Sequence, residues 1–482
     1  MVSVGTDVLL AENLIAGAHE PAVGGETFEK IAPSTGELLC LVASSGPADV
    51  QRAVDAAVTA QPEWSARTPV ERGMVIRSIA RLLEDEREAL AETISAETGK
   101  SPADAGAEVD AATEFAYFMA GEGRRFYGKT MPSATPNRQA FTIRQPLGVA
   151  GVIVAANTPL TNIAWKVFPA LLCGNAVVLK ASEHAPLTAL AFARLAVRAG
   201  LSPGVLDLIH GYGPDAGMPL AADPRVDVVS FTGSTPVGRA IARVAGARLA
   251  KVSLSLGGKN PFVVCDDADL ARATEAAALS AFSNAGQRCA SGSRLIVFAG
   301  VYDEFTARLL ARLDADLPGG VGPVMTEQQL ERILVSLDQA RAMGARVLTG
   351  GERLTAPGFF VEPTIVENVP SDSDLVCSEL FGPIATLHRV RSFEEAMTLA
   401  NASPYGLTAA VWTRSIARAQ EFVRRIVAGG VQVNGPSYGF EPHVPFGGER
   451  ASGTGWREAG TESLDVYSSW KTVYVTHDPV EV

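Results

Sequence analysis

Four short apolar runs, each bounded by glycine, proline or polar residues, alternate with longer amphipathic stretches through the middle of the chain. They fall at 148–155, 176–180, 204–209 and 226–231. Segments 161–172, 187–199 and 215–221 between them carry helical periodicity. Apolar runs without polar alternation predict strands covered on both faces, and strand–helix alternation predicts a parallel, doubly wound α/β sheet. A second block repeats the pattern, with strands expected at 260–264, 294–298, 409–412 and 430–433. Two α/β lobes imply a cleft between them. Ahead of both lobes the pattern is helical. One run opens at Ala48-Asp49-Val50, another at Thr68-Pro69 with proline in its first turn, and a third spans 102–127. Segments 138–145 and 473–476 are β-prone and belong to neither lobe, which suggests a small arm able to pair with another subunit.

Composition narrows the class. The chain has 482 residues, 47% hydrophobic and 20% charged, as expected of a globular protein of about two to four domains. The net charge of −12 argues against nonspecific nucleic-acid or anionic-membrane binding. No run reaches the about 18 apolar residues of a membrane span, and residues 1–10 lack the apolar core of a signal peptide. The five cysteines are scattered with no CxxC pair, so neither a disulfide framework nor a zinc site is expected and a reducing cytosol fits. Cys173 and Cys377 read as core or cleft-wall residues, Cys40 and Cys265 as structural. Six dispersed histidines give no metal-ligand spacing.

Cys289 differs from the others in its setting. It ends Phe282-Ser283-Asn284-Ala285-Gly286-Gln287-Arg288-Cys289, a small-residue loop after a helical run. Such a loop permits close backbone approach, and a thiol there can attack a carbonyl while its own N–H faces the oxygen of the adduct. Asn157, in Ala156-Asn157-Thr158-Pro159 after the first strand, offers a side-chain amide to the same oxygen, although in isolation it reads as turn chemistry. Phe231-Thr232-Gly233-Ser234-Thr235-Pro236-Val237-Gly238 follows the fourth strand and opens a helix, as a phosphate site would. It lacks the spacing of the dinucleotide fingerprint, and Gly211-Tyr212-Gly213 matches that fingerprint only loosely. Lys180 and Glu183, just past the second strand, suit ribose and phosphate contacts or a solvated loop equally.

Together these pieces resemble one family. The ordered series Asn157, Trp165-Lys166, Pro169-Ala170-Leu171, Gly174-Asn175, Val178-Leu179-Lys180 and Phe231-Thr232-Gly233-Ser234 continues with Leu256-Gly257-Gly258-Lys259-Asn260, Gly286-Gln287-Arg288-Cys289, Glu379-Leu380-Phe381-Gly382-Pro383 and Pro445-Phe446-Gly447-Gly448. It is similar to the NAD(P)-dependent aldehyde dehydrogenases along nearly the whole chain. The resemblance implies a cofactor domain (1–130 and 148–253), a catalytic domain (254–435), an oligomerisation arm (131–147 and 462–482) and a substrate loop returning to the cofactor domain (436–461). It implies a homodimer or homotetramer. It makes Cys289 the nucleophile, with Asn157 and the Cys289 N–H as oxyanion hole. Lys180 and Glu183 would hold the adenosine ribose and Glu379 the nicotinamide-side ribose. Phe381 would pack near the nicotinamide, and Gly213, Phe231, Gly233 and Ser234 would line the cofactor's path. Glu183 would repel a ribose 2′-phosphate, which favours NAD. Thr158, Thr161, Asn162 and Trp165, with Tyr438, Phe440 and His443, would face a polar or hydroxylated aldehyde.

The sequence departs from the family at one catalytic position. Hydrolytic relatives carry Glu two residues before the Gly-Gly of Leu256-Gly257-Gly258, and this chain has Ser255 there. An unactivated serine is no base near neutral pH, and losing a general base removes about 10²–10⁴ in rate from its step. Four readings stand: another carboxylate, Glu458, relays through water; the thioester passes to a thiol such as coenzyme A; the chain works in the reductive direction; or it is a disabled variant that binds cofactor and traps an acyl-enzyme. A cofactor-binding scaffold without turnover would have no use for Cys289 and Asn157. Residues 318–323 look like a trimmed surface connection.

Overall fold

The computed structural model describes residues 9–316, 320–370 and 373–478. The readings for residues 1–8, and for Pro318 and Gly319, lie outside the described residues. Two seven-stranded sheets form the body. In the first, the strands run in the order Lys251–Leu256, Val228–Gly233, Val149–Ile153, Ala176–Lys180 and Leu206–Ile209, all parallel, and an antiparallel hairpin of Asn13–Ile15 and Ala18–Glu20 completes the edge. Strand order therefore reverses between Val149–Ile153 and Val228–Gly233. Ligands of such sheets bind at this reversal, beyond the carboxyl ends.

Alternate residues explain why the runs are apolar on both faces. Val152, Leu179, Leu206 and Leu208 pack under the helices Pro159–Cys173 and Pro186–Arg198. Ile153, Val178, Ile209, Phe231 and Leu254 pack on the other side, under Pro47–Ala66 and Thr235–Ala247. The strand Lys251–Leu256 stands out less in the sequence. Its serines alternate with Val252, Leu254 and Leu256, because it is an edge strand with only one face on the core.

The second sheet runs Arg346–Thr349, Thr364–Glu367, Ile384–Val390, Arg294–Phe298, Pro261–Val264, Thr408–Trp412 and Gly430–Val433, parallel except for the first pair. Val149–Ile153, Val228–Gly233 and the other strands expected in the two lobes match within two residues, whereas Arg346–Thr349, Thr364–Glu367 and Ile384–Val390 are not among those expected. Phe231, Thr232 and Gly233 are the end of the fourth strand rather than residues beyond it, so the turn starts at Ser234. The expected helix over 102–127 stops at Glu122, and 215–221 is helical, a wide π-helical turn at Gly213–Gly217 running into Met218–Ala222. The arm is an antiparallel sheet of Ser468–Thr476, Arg138–Pro146 and Thr130–Met131.

Two helices that frame the cleft are capped from far away in the chain. Pro159–Cys173 and Pro186–Arg198 both begin with proline, and neither N-cap residue, Thr158 or Ala185, makes a side-chain cap. Buried carboxylates supply the acceptors. Glu108 takes Leu160 N at 2.8 Å, and Glu97 takes Thr188 N at 2.9 Å. Negative charge at a helix N-terminus also complements the helix dipole.

Phe262, fully buried in an interior strand of the second sheet, lies beneath Gly292 in the loop that follows Cys289. Phe262→Ala should lower stability by about 3–5 kcal/mol, read as an earlier midpoint in denaturant unfolding of the full chain.

Candidate active site

The carboxyl ends of the first sheet and the amino ends of the second supply the residues of the cleft. Asn157 follows Val149–Ile153, Lys180 ends its strand, and Ser255 lies near the end of Lys251–Leu256. From the second lobe, Gly258, Cys289 and Glu379 precede Pro261–Val264, Arg294–Phe298 and Ile384–Val390.

Side chains fix the Asn157 loop from beneath. Lys100 Nζ donates to the Asn157 carbonyl at 2.9 Å and is ion-paired with Glu108, the carboxylate that caps the following helix. Both charges are buried. A sequence reading has no signal for this pair, because neither residue lies near Asn157 in the chain.

Helix Leu270–Phe282 leads into the Cys289 loop through a left-handed turn, with φ of 53° at Asn284, 52° at Ala285 and 67° at Gly286. A Cβ on Gly286 would lie 2.1 Å from the Gly382 carbonyl, so only glycine passes there. Gln287 is buried and anchors the loop: its Nε2 donates to Pro323 O at 3.1 Å and its Oε1 accepts from Met325 N at 2.8 Å. Asn260 holds the far side by donating to the carbonyls of Cys289 and Ser291, each at 2.8 Å. Cys289 itself is half-buried, while Cys40, Cys173 and Cys265 are buried. Cys377 is exposed, not in the core, because it is the last residue of the one-turn surface helix Asp374–Cys377.

The two loops bond across the lobe boundary. Asn157 Nδ2 donates to Gln287 O at 3.1 Å, and Asn284 Nδ2 donates to Asn157 O at 3.1 Å. An amide carries two N–H bonds, so one of Asn157's remains for an oxyanion. Asn162 Nδ2 donates to Asn157 Oδ1 and to Ala155 O, both at 3.2 Å, which fixes which end of the Asn157 amide donates. Asn162 is as buried as Asn157.

Burial pushes the Cys289 thiol up to about 12, and the Glu379 carboxylate adds to the shift while backbone N–H groups and Arg288 oppose it. Glu379 is half-buried and accepts from Gly258 N at 3.2 Å. Burial raises its carboxyl to about 7, against that N–H, Lys259 and Arg332. Glu458 is buried and ion-paired with Lys166, itself fully buried on helix Pro159–Cys173. Burial pulls the Lys166 ammonium down to about 7, against the charge of the Cys289 thiolate. Ser255 is buried on the strand face opposite Leu254 and Leu256, and its backbone bridges to Gly453, five residues before Glu458.

At the reversal of the first sheet, the residues fit a dinucleotide. Lys180 Nζ meets Glu183 Oε2 at 3.1 Å. Burial works against ionisation of Glu183, yet Lys180 and His184 hold its carboxyl below the usual range. A Cβ on Gly233 would strike the Phe231 ring at 2.3 Å, so backbone alone lines that approach. Ser234 starts helix Thr235–Ala247 without a side-chain cap, which leaves the first N–H groups to an anion. Nothing lies within 4 Å of the space beside Gly213. Phe381, at φ 56°, sits beside Glu379 in the second lobe's rim.

Residues 20–473 match the family model described as the aldehyde dehydrogenase family. This chain belongs to that family. It is 37% identical to an α-ketoglutaric semialdehyde dehydrogenase of Bacillus subtilis, over 96% of this chain and 97% of that protein. It is 36% identical to a 2,5-dioxopentanoate dehydrogenase of Saccharolobus solfataricus, over 96% and 98%. Among solved structures, a betaine aldehyde dehydrogenase of Staphylococcus aureus in complex with NAD+ superposes with a TM-score of 0.95 at 32% identity, over 98% of this chain and 96% of that one. An NADP-dependent enzyme of E. coli gives 0.94 at 35%, over 97% and 98%. The chain is thus an NAD(P)-dependent aldehyde dehydrogenase with the family's two-lobed α/β fold.

Around the aldehyde dehydrogenase cleft, the aromatic residues expected to face substrate form one wall. Trp165 lies 5.3 Å from Phe446, and Phe440 lies 5.1 Å from the same ring. Tyr438 stacks under the Arg288 guanidinium at 4.7 Å. Thr158 and Thr161 are partly exposed on the first turn of the helix, whereas His443 is exposed and 3.7 Å from Glu441, outside that wall. Sequence reasoning passed over Arg288, although its place beside Cys289 was the available signal.

With no cofactor bound, alkylation of Cys289 by iodoacetamide should rise about tenfold per pH unit from pH 6 to 10, because the thiolate fraction of a group near 12 grows throughout that range. Peptide mass spectrometry of Cys289 checks this; a plateau below pH 9 would show an activated thiolate instead.

Proposed function

We propose that this chain oxidises a short aldehyde carrying a carboxylate, of the semialdehyde type, to the corresponding acid with NAD. The observation that carries the reading is the half-buried Cys289 in a loop that the Asn157 amide bonds at Gln287 and that carries the cation Arg288 next to the thiol in the chain. The Cys289 thiolate attacks the aldehyde carbon, forming the C–S bond. The oxyanion takes the free Asn157 N–H and the Cys289 backbone N–H, a pair that works in a site with little water. Bound nicotinamide supplies the hydride acceptor that turns the adduct into a thioester. Release of the acyl group then frees Cys289.

Arg288 is the basis for the carboxylate preference. Its Nε donates to Ser283 Oγ at 3.1 Å, and its nearest charge, Asp104, is only loosely placed at 3.6 Å. A guanidinium so held keeps donors for a planar carboxylate, in bidentate fashion. The names of the Bacillus and Saccharolobus relatives point to oxo-acid semialdehydes and agree with this chemistry. Glu183, partnered by Lys180, supports NAD over NADP, since a carboxylate accepts ribose hydroxyls and repels a 2′-phosphate. The exposed apolar residues of the arm, Ile143, Trp470, Tyr474 and Val475, support assembly through that sheet into a dimer or tetramer.

Short ω-oxo acids should exceed n-alkanals of equal length by at least about tenfold in kcat/KM, the scale of one charge-assisted hydrogen bond. Arg288→Gln should remove the preference mainly through KM. Alkanals winning the panel would overturn the substrate assignment.

A further inference from the structure

We propose that Glu379 is the general base that deacylates Cys289 in this chain, taking the duty for which Ser255 has no carboxylate. The inference rests on the thioester-forming reading above.

Three positions compete for this role. The Ser255 hydroxyl is far too weak an acid to serve as a base near neutral pH. Glu458 is committed elsewhere: its carboxylate pairs with the fully buried Lys166, and its backbone exchanges hydrogen bonds with Phe446 in both directions, at 2.7 and 2.6 Å. A proton taken up by Glu458 would leave a buried ammonium without its counter-charge, which is costly in the interior. Glu379 is not locked in a close ion pair of that kind: among the described residues Lys259 and Arg332 act on its carboxylate by charge alone, beyond salt-bridge distance.

Its carboxylate lies on the glycine pair that follows Ser255. Oε1 accepts from Gly258 N at 3.2 Å, and Oε2 stands 1.9 Å from where a Cβ of Gly257 would be. Gly258 in turn abuts the Cys289 carbonyl, 2.7 Å from an ideal Cβ. The carboxylate is therefore one glycine away from the backbone of the nucleophile. Gly258, Arg288, Ser291, Glu379 and Phe381 line a cavity of about 20 Å³. That volume accommodates one water molecule, and polar groups are there to hold it.

The electrostatics suit the role. Burial lifts the Glu379 carboxyl to about 7, which is where a base serves best near neutral pH. The charged and titratable groups facing it are Lys259, Arg332, Cys289 and Tyr405, with Arg288 on the same small cavity. The resemblance gives Glu379 a ribose contact during oxidation, and the two duties are successive. In deacylation the water oxygen bonds to the thioester carbon while Glu379 takes the water proton. The tetrahedral adduct collapses, the C–S bond breaks, the acid departs and Cys289 leaves as thiolate. Glu379 then returns its proton to solvent.

The test loads Cys289 without nicotinamide, using p-nitrophenyl acetate on the full chain, and follows the acetyl adduct by mass spectrometry. In the parent protein the adduct should decay with a rate that rises with pH through about 7. Glu379→Gln should still acylate, hold the adduct with decay slowed about 10²-fold or more, and lose that pH dependence. Adding Ser255→Glu to Glu379→Gln should restore decay, which a merely misfolded variant would not do. Decay of Glu379→Gln at the parent rate, or accumulation of adduct in Glu458→Gln instead, would overturn the proposal. A parent protein that never acquires an adduct on Cys289 would overturn the thioester reading itself, and the two failures are distinguishable.

Discussion

Two backbone carbonyls, those of Asn157 and Gln287, hold the active cleft together. Each belongs to a different lobe, and neither has a helix or sheet partner. Buried carbonyls without partners are costly, so the structure surrounds them with donors: Lys100 and Asn284 on the first, Asn157 and Asn284 on the second. Asn284 serves both, at 3.1 and 3.3 Å, and can do so because it sits in the left-handed turn before Cys289. The geometry of the nucleophile, the oxyanion donor and the lobe boundary is thereby one network.

That network needs charge in the interior, and the charges are arranged in pairs. Glu108 neutralises Lys100 while capping the helix that starts at Pro159. Lys166 lies on the same helix and meets Glu458 from the C-terminal part of the chain. A buried pair contributes little net stability when intact, yet loss of one member is severe. The Lys166–Glu458 pair therefore ties the C-terminal segment to the helix Pro159–Cys173 of the cofactor lobe. It also removes Glu458 from the set of free bases, which leaves Glu379 as the carboxylate with a titration range suited to proton transfer.

Ser255 is where local pattern and chemistry diverge. Its strand pairs along its outer edge with Gly453, in the segment carrying Glu458, and alternates an aliphatic face with a serine face. A glutamate at this position would project on that same face, because side chains alternate along a strand. Serine keeps the strand in place and removes the carboxylate, so the fold is indifferent to the change while the second half of the reaction is not.

The sequence by itself determined most of the parallel strands of the two lobes, the arm, the strand ends bearing Lys180 and Gly233, and the loops bearing Asn157 and Cys289, but not the strands Arg346–Thr349, Thr364–Glu367 and Ile384–Val390. Apolar runs covered on both faces, proline-started helices and glycine-rich turns are local signals, and each is set by the residue's own backbone and its nearest neighbours. The edge strand Lys251–Leu256 was less legible because one face lacks the core. The tertiary structure alone decided which distant groups meet. Glu458 and Lys166 are 292 residues apart, Asn157 and Gln287 are 130 apart, and Glu379 and Gly258 are 121 apart. It turned Asn162 onto Asn157, left His443 exposed beside Glu441, and laid the Arg288 guanidinium over Tyr438. The physical reason is that a side chain's type is written in the chain, but its partner is fixed only when packing sets the register of elements folded far apart in sequence.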